Sequence, residues 1–96
     1  MKLAFLTNMI HIKENVLNQN TLEIRLDGRL DDESVPVVAE VCTNHLRRKR
    51  EIILDLEGLT YINRAGRTFL EQVKGGVSIL NPPEFLELGQ SLVKTD

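Results

Sequence analysis

The chain has 96 residues, 42 % hydrophobic and only 4 % aromatic, so a single domain with an aliphatic core is expected. Its 12 basic and 14 acidic residues leave a net charge of −2, which argues against general affinity for nucleic acid, because phosphate binding needs a clear excess of Lys and Arg. Cys42 is the only cysteine, which excludes an internal disulfide and a cysteine-built zinc site.

The opening stretch, MKLAFLTNMI, is too short and too polar for a secretion signal, and nowhere do ~20 apolar residues run together as a membrane span requires. A soluble, cytoplasmic domain is expected. Leu3 and Phe5 alternate with Lys2 and Ala4, so residues 1–9 read as an extension, either strand or tail, and residues 10–96 as the domain itself.

Ile10 and Ile12 alternate with His11 and Lys13, and Leu22, Ile24 and Leu26 with Glu23, Arg25 and Asp27. Joined through NQN at 18–20, these are two strands of an antiparallel hairpin, and Gly28 is expected to end the second. Pro36 is tolerable only in the first turn of a helix, so the helix that follows should start near residues 33–35. Asp31, Asp32, Glu33 and Ser34 supply capping groups and favourable charge ahead of it. Val38, Val41, Cys42, His45 and Leu46 share one helical face. EIILDL at 51–56 is a nearly unbroken apolar run, as expected for a central strand covered on both faces.

A polar turn leads into a second helix with Gly66, Phe69, Leu70 and Val73 on one face, stopped by Gly75 and Gly76. VSIL is a short strand. NPPE should open a third helix, with Asn81 as cap, Pro82 in its first position and Phe85, Leu88 and Leu92 as its buried stripe. The alternation predicts an α/β fold: a small mixed β-sheet, an antiparallel N-terminal hairpin plus parallel strands reached by right-handed crossovers, with helices packed against it.

Three stretches in order carry a resemblance: GRLDDESVP at 28–36, IILDLEGLTYINRAG at 52–66 and GGVSILNPP at 75–83. Together, over residues 10 to 92, the chain resembles the STAS domain family of the anti-sigma-factor antagonists. The resemblance implies a non-enzymatic module of signalling or regulation that works by protein–protein contact. In the family the turn reads Asp-Ser-Ser-Gly or Asp-Ser-Thr-Gly, and the residue before the glycine is the usual kinase target. Here the turn is Asn63, Arg64, Ala65 and Gly66, and Ala65 has no hydroxyl to phosphorylate. Family members usually continue into a further strand and helix, for which GQSLVKTD leaves little room, so a C-terminally shortened domain is expected.

The turn has its own chemistry. Asn63 is a good helix N-cap, and a glycine at 66 lets the helix sit close to the sheet. Arg64 and Arg67 carry the wrong sign for a helix start, at a cost of roughly 0.3–1 kcal/mol each at low salt. Either they are solvated and screened, or with the helix-terminal N–H groups they make an anion site for a carboxylate cluster or a phosphate. The expected partner-binding face comprises Asp31, Asn63, Arg64, Ala65, Gly66, Arg67 and Glu71, with Thr68 and Lys74 beside it. The partner implied by the resemblance is a protein, of anti-sigma-factor or serine-kinase type or a component of a transport ATPase or permease. A nucleotide or other anion, and a second copy of the chain, are the alternatives.

Elsewhere the simpler explanation suffices. RRKR at 47–50 suits a helix C-terminus, although four cations exceed what capping needs and leave weak binding to an acidic partner open. His11 and His45 have no neighbour at metal-ligand spacing, and no metal or cofactor is expected. Asp55 lacks an acid, base or nucleophile partner, so no enzyme is expected. Cys42 belongs to the helix core.

Overall fold

The computed structural model describes residues 10–84. They form β1 (Ile10–Val16), β2 (Thr21–Leu30), α1 (Val35–Arg47), β3 (Glu51–Ile62), α2 (Arg64–Val73) and β4 (Ser78–Leu80). The sheet has four strands in the order β1-β2-β3-β4; β1 and β2 are antiparallel, and β2–β3 and β3–β4 are parallel. Both crossovers step the same way along the sheet, and right-handed crossovers then put both helices on one face. The mixed-sheet α/β architecture is the one expected. The extension at 1–9, the helical stripe of Phe85, Leu88 and Leu92, and the shortened end lie outside the described residues. Residues 81–84 are non-helical.

The hairpin closes on local polar chemistry. The Leu17 and Asn18 N–H groups both donate to the Thr21 carbonyl, at 3.0 and 3.2 Å, and the Asn20 N–H donates to Asn18 Oδ1 at 2.8 Å. This is an asparagine turn of the kind NQN suggests.

Two strands are longer than their sequences suggest. Gly28 does not end β2: the strand runs on to Leu30, with register irregularities on both sides of Asp27–Gly28. Gly28 has φ 106°, a conformation that favours glycine, so it marks a bulge and not a terminus. Likewise β3 passes Leu56 and continues to Ile62 through residues that read as a turn. The two extensions pair with each other, Gly28 with Leu59 and Leu30 with Ile62.

The core is aliphatic, as composition requires. Leu22, Ile24, Leu26, Ile52, Leu54 and Leu56 from the central strands pack under Val38, Val41 and Cys42 of α1 and Phe69 and Leu70 of α2. Coverage of β3 is uneven, with Ile52, Leu54 and Leu56 buried and Ile53 only half-buried. Burial, with a smaller contribution from Glu14, pushes the Cys42 thiol up to about 11. Among the described residues no helix is long and apolar enough to cross a membrane.

Helix α1 starts where Pro36 requires, but not by side-chain capping from Ser34. The Ser34 hydroxyl donates to the Arg29 carbonyl at 2.9 Å and accepts the Asp31 N–H at 2.9 Å. Asp31 Oδ1 in turn accepts the N–H groups of Glu33 and Ser34, at 3.1 and 3.2 Å. The acidic run therefore builds the loop ahead of the helix.

Candidate partner-binding site at the start of α2

Strands β2 and β3 end side by side, and their ends place the turn. The Asn63 N–H donates to the Leu30 carbonyl at 3.2 Å. Gly66 packs over that same carbonyl, and a Cβ at Gly66 would collide with the Leu30 oxygen. Any side chain there must push α2 off the sheet. Glycine at 66 is thus required by close approach, at the C-terminal ends of parallel strands where α/β sites commonly form.

Asn63 serves both helices. Its Oδ1 accepts the Gly66 N–H at 3.0 Å, the N-cap bond expected of it. Its Nδ2 donates to Asp32 Oδ1 at 2.7 Å, which ties the start of α2 to the loop ahead of α1.

Between the two helix starts lies an open groove of about 410 Å³, lined by apolar Val35, Ala65 and Phe69 and by polar Asp32, Arg64 and Thr68. Arg64 and Arg67 are exposed, and neither forms an ion pair among the described residues. Arg64 lines the groove and Arg67 lies one turn along. Two cations without an ion pair among the described residues, at the positive end of a helix, favour an anionic group from outside.

The other residues expected on this face are placed differently. Asp31 is 7 % exposed, with its carboxylate spent on the loop and 3.8 Å from Arg29. Glu71 is half-buried and pairs with Lys74 at 2.9 Å, one turn further along α2. The structure brings Asn63, Arg64, Ala65 and Thr68 together and leaves Asp31 behind them. Asp32, Val35 and Phe69 line the groove without having been singled out for it. Only the acidity of Asp32 and its place in the DDE run hinted at a polar contact. Arg29, stacked over the Tyr61 ring at 4.0 Å, was also unforeseen, because the two residues meet only through the long β2–β3 pairing.

Asp55 is buried and structural. Its Oδ1 accepts the Glu57 N–H at 3.0 Å and the Asn81 amide at 3.1 Å, pinning the chain where it leaves β4. Asn81, expected to cap a third helix, is turned to Asp55 with φ 55°. His45 bridges Glu14, at 3.3 Å, and Arg50, at 3.0 Å.

Hairpin, central parallel strands, helices on one face and a second helix whose first turn is presented at the strand ends define a class of small mixed-sheet α/β domain. Residues 11–77 match the model of the STAS domain, and the chain belongs to that family. It is similar to the structure of the anti-sigma factor antagonist SpoIIAA in its unphosphorylated form, with a TM-score of 0.67, 21 % identity, and 85 % of this chain and 80 % of that one covered. It is also similar to the Bacillus cell fate determinant SpoIIAA in the phosphorylated form, with a TM-score of 0.61, 22 % identity, and 88 % and 81 % coverage. These likenesses establish the shared fold. Among curated proteins there is no match.

Proposed function

We propose that this chain is a regulatory protein-interaction module that catalyses nothing and holds an acidic surface of a partner protein at the start of α2. The observation that carries the proposal is the exposed, unpaired placement of Arg64 in the open groove and of Arg67 one turn along α2. A partner carboxylate would meet the guanidiniums while an aliphatic side chain of the partner enters between Val35 and Phe69. The similar structures belong to an anti-sigma factor antagonist, which supports a regulatory role and a partner of anti-sigma-factor type. A serine-kinase-type partner and a cytoplasmic setting belong to the same proposal. A transport ATPase or permease component is the other partner class the family suggests. Ala65 offers no hydroxyl, so binding at this turn is constitutive and not switched by phosphate there.

The test is affinity capture from the source cell with the unaltered chain and with R64E/R67E. The altered chain should lose the specific partner while keeping its fold by circular dichroism. An unchanged partner set would overturn the proposal.

A free anion or nucleotide is the second reading, favoured by the same guanidiniums. It is the weaker one, because the Gly66 N–H is capped by Asn63 Oδ1 and the Arg67 N–H is bonded to the Asn63 carbonyl at 2.9 Å. That leaves a short arc of donors. Saturable thermal stabilisation by one nucleotide or phosphate would favour it.

A further inference from the structure

The basic run at 47–50 exceeds the needs of helix capping, and the fold places it at the same end of the molecule as several exposed aliphatic side chains. His45 in the last turn of α1 reaches Glu14 of β1 at 3.3 Å, and the Glu51 N–H that opens β3 donates to the Asn20 carbonyl of the hairpin at 2.6 Å. The end of α1, the start of β3 and the hairpin tip therefore form one end of the molecule. Val16 lies on the same sheet face as Glu14, two residues nearer the tip. It is 72 % exposed, Leu17 beside it 49 % and Leu46 38 %. Arg47, Arg48 and Lys49, where α1 ends, belong to this same end of the molecule, exposed and without an ion pair among the described residues.

Opposing charge here is slight. Glu14, hydrogen-bonded to His45, and exposed Glu51 are the carboxylates, against the four cations at 47–50, and Asn18, Gln19 and Asn20 are uncharged. Lys49 also breaks a local rule. Its φ is 62°, at the left-handed position after a helix where glycine is favoured, yet it is a lysine. A rule broken without benefit to folding points to function.

We propose that this end of the domain docks on an anionic membrane surface. Val16 and Leu17 enter the headgroup layer, and Arg47, Arg48 and Lys49 meet lipid phosphates. The aliphatic groups project from a hairpin tip and the cations sit on long, unpaired side chains, an arrangement matched to a broad, deformable surface. The ten residues of β2 that pair along β3 separate this end from the turn at Asn63 by about 30 Å, so a docked domain holds its α2 turn away from the lipid. The proposal does not depend on what binds at Arg64 and Arg67.

Co-sedimentation of the full chain with phosphatidylcholine vesicles, with and without phosphatidylglycerol, tests it. Binding should require phosphatidylglycerol and weaken as salt rises. R47Q/R48Q should bind roughly 25-fold less, at about 5-fold per cation. V16S/L17S should bind less at every salt concentration and keep its salt dependence. Circular dichroism checks that each variant folds. No binding to anionic vesicles, equal binding to pure phosphatidylcholine, or unchanged binding by R47Q/R48Q would overturn the proposal. So would retention on polyglutamate resin without vesicle binding, which would mark an acidic protein as the target.

Discussion

Asn63 donates its amide N–H to Asp32 at 2.7 Å while its Oδ1 accepts the Gly66 N–H at 3.0 Å, so one side chain both starts α2 and ties it to the loop ahead of α1. Replacement by alanine removes both bonds. N63A should lower stability by about 1–2 kcal/mol, the upper range for a lost cap, as read by urea unfolding. Asn63→Asp keeps the cap and places negative charge at the helix start, so despite repulsion from Asp32 its loss should be smaller than that of the alanine variant. A double-mutant cycle with D32A isolates the link. Strictly additive losses would show that the Asp32 bond contributes nothing.

Gly66 sits over the Leu30 carbonyl without room for a Cβ. Gly66→Ala should therefore destabilise the domain by about 1–3 kcal/mol, although alanine is the better helix former. Thermal unfolding decides between the two effects: a raised midpoint would mean that α2 moves off the sheet at no cost.

Arg67 stands at the positive end of α2 without an ion pair among the described residues. Arg67→Gln, which removes the cation without setting a carboxylate four residues from Glu71, should stabilise the isolated domain by roughly 0.3–1 kcal/mol at low salt, and the gain should shrink as salt rises. Arg64→Gln should gain less, because the Asp32 carboxylate in the same groove already offsets part of the charge of Arg64. Stability that falls in R67Q would refute the dipole account of this turn.

Cys42 lies in the core, and burial raises its thiol from its ordinary value of 9.0 to about 11. At neutral pH the native thiol should react with aromatic disulfide reagents far more slowly than the unfolded chain, since the thiolate is the nucleophile. A folded-state value above the unfolded one means that stability from this source is intact below about pH 9 and declines between about 9 and 11. Cys42→Ala should lose that alkaline decline while losing stability at neutral pH to the cavity. Labelling of the native chain at the unfolded rate would contradict the buried placement.

Much of this fold is written locally. Alternation in Leu22, Ile24 and Leu26, the period of Phe69, Leu70 and Val73, the stop at Gly75–Gly76 and the cap at Asn63 each depend on residues within a few positions of one another. A side chain's face and a helix's start are settled at that range, so the order of elements and the aliphatic core follow directly. The two arginines at the start of α2 are legible for the same reason, since their sign conflicts with a helix end only a few residues away.

What remained hidden depends on residues about 30 positions apart. Gly28 reads as a strand end, and Glu57 to Ile62 read as a turn, until each extension finds the other as its hydrogen-bonding partner. That mutual pairing stacks Arg29 on Tyr61 and brings Leu30 under Gly66. The same packing carries Asp32 to Asn63. Asp31 and Glu71 instead take partners within three residues, the Glu33 and Ser34 N–H groups and Lys74. The sequence by itself determined which elements exist and where the cations lie along the chain. Tertiary structure alone decided where the strands stop and which side chains meet across them, because backbone pairing between strands is settled only when distant segments meet.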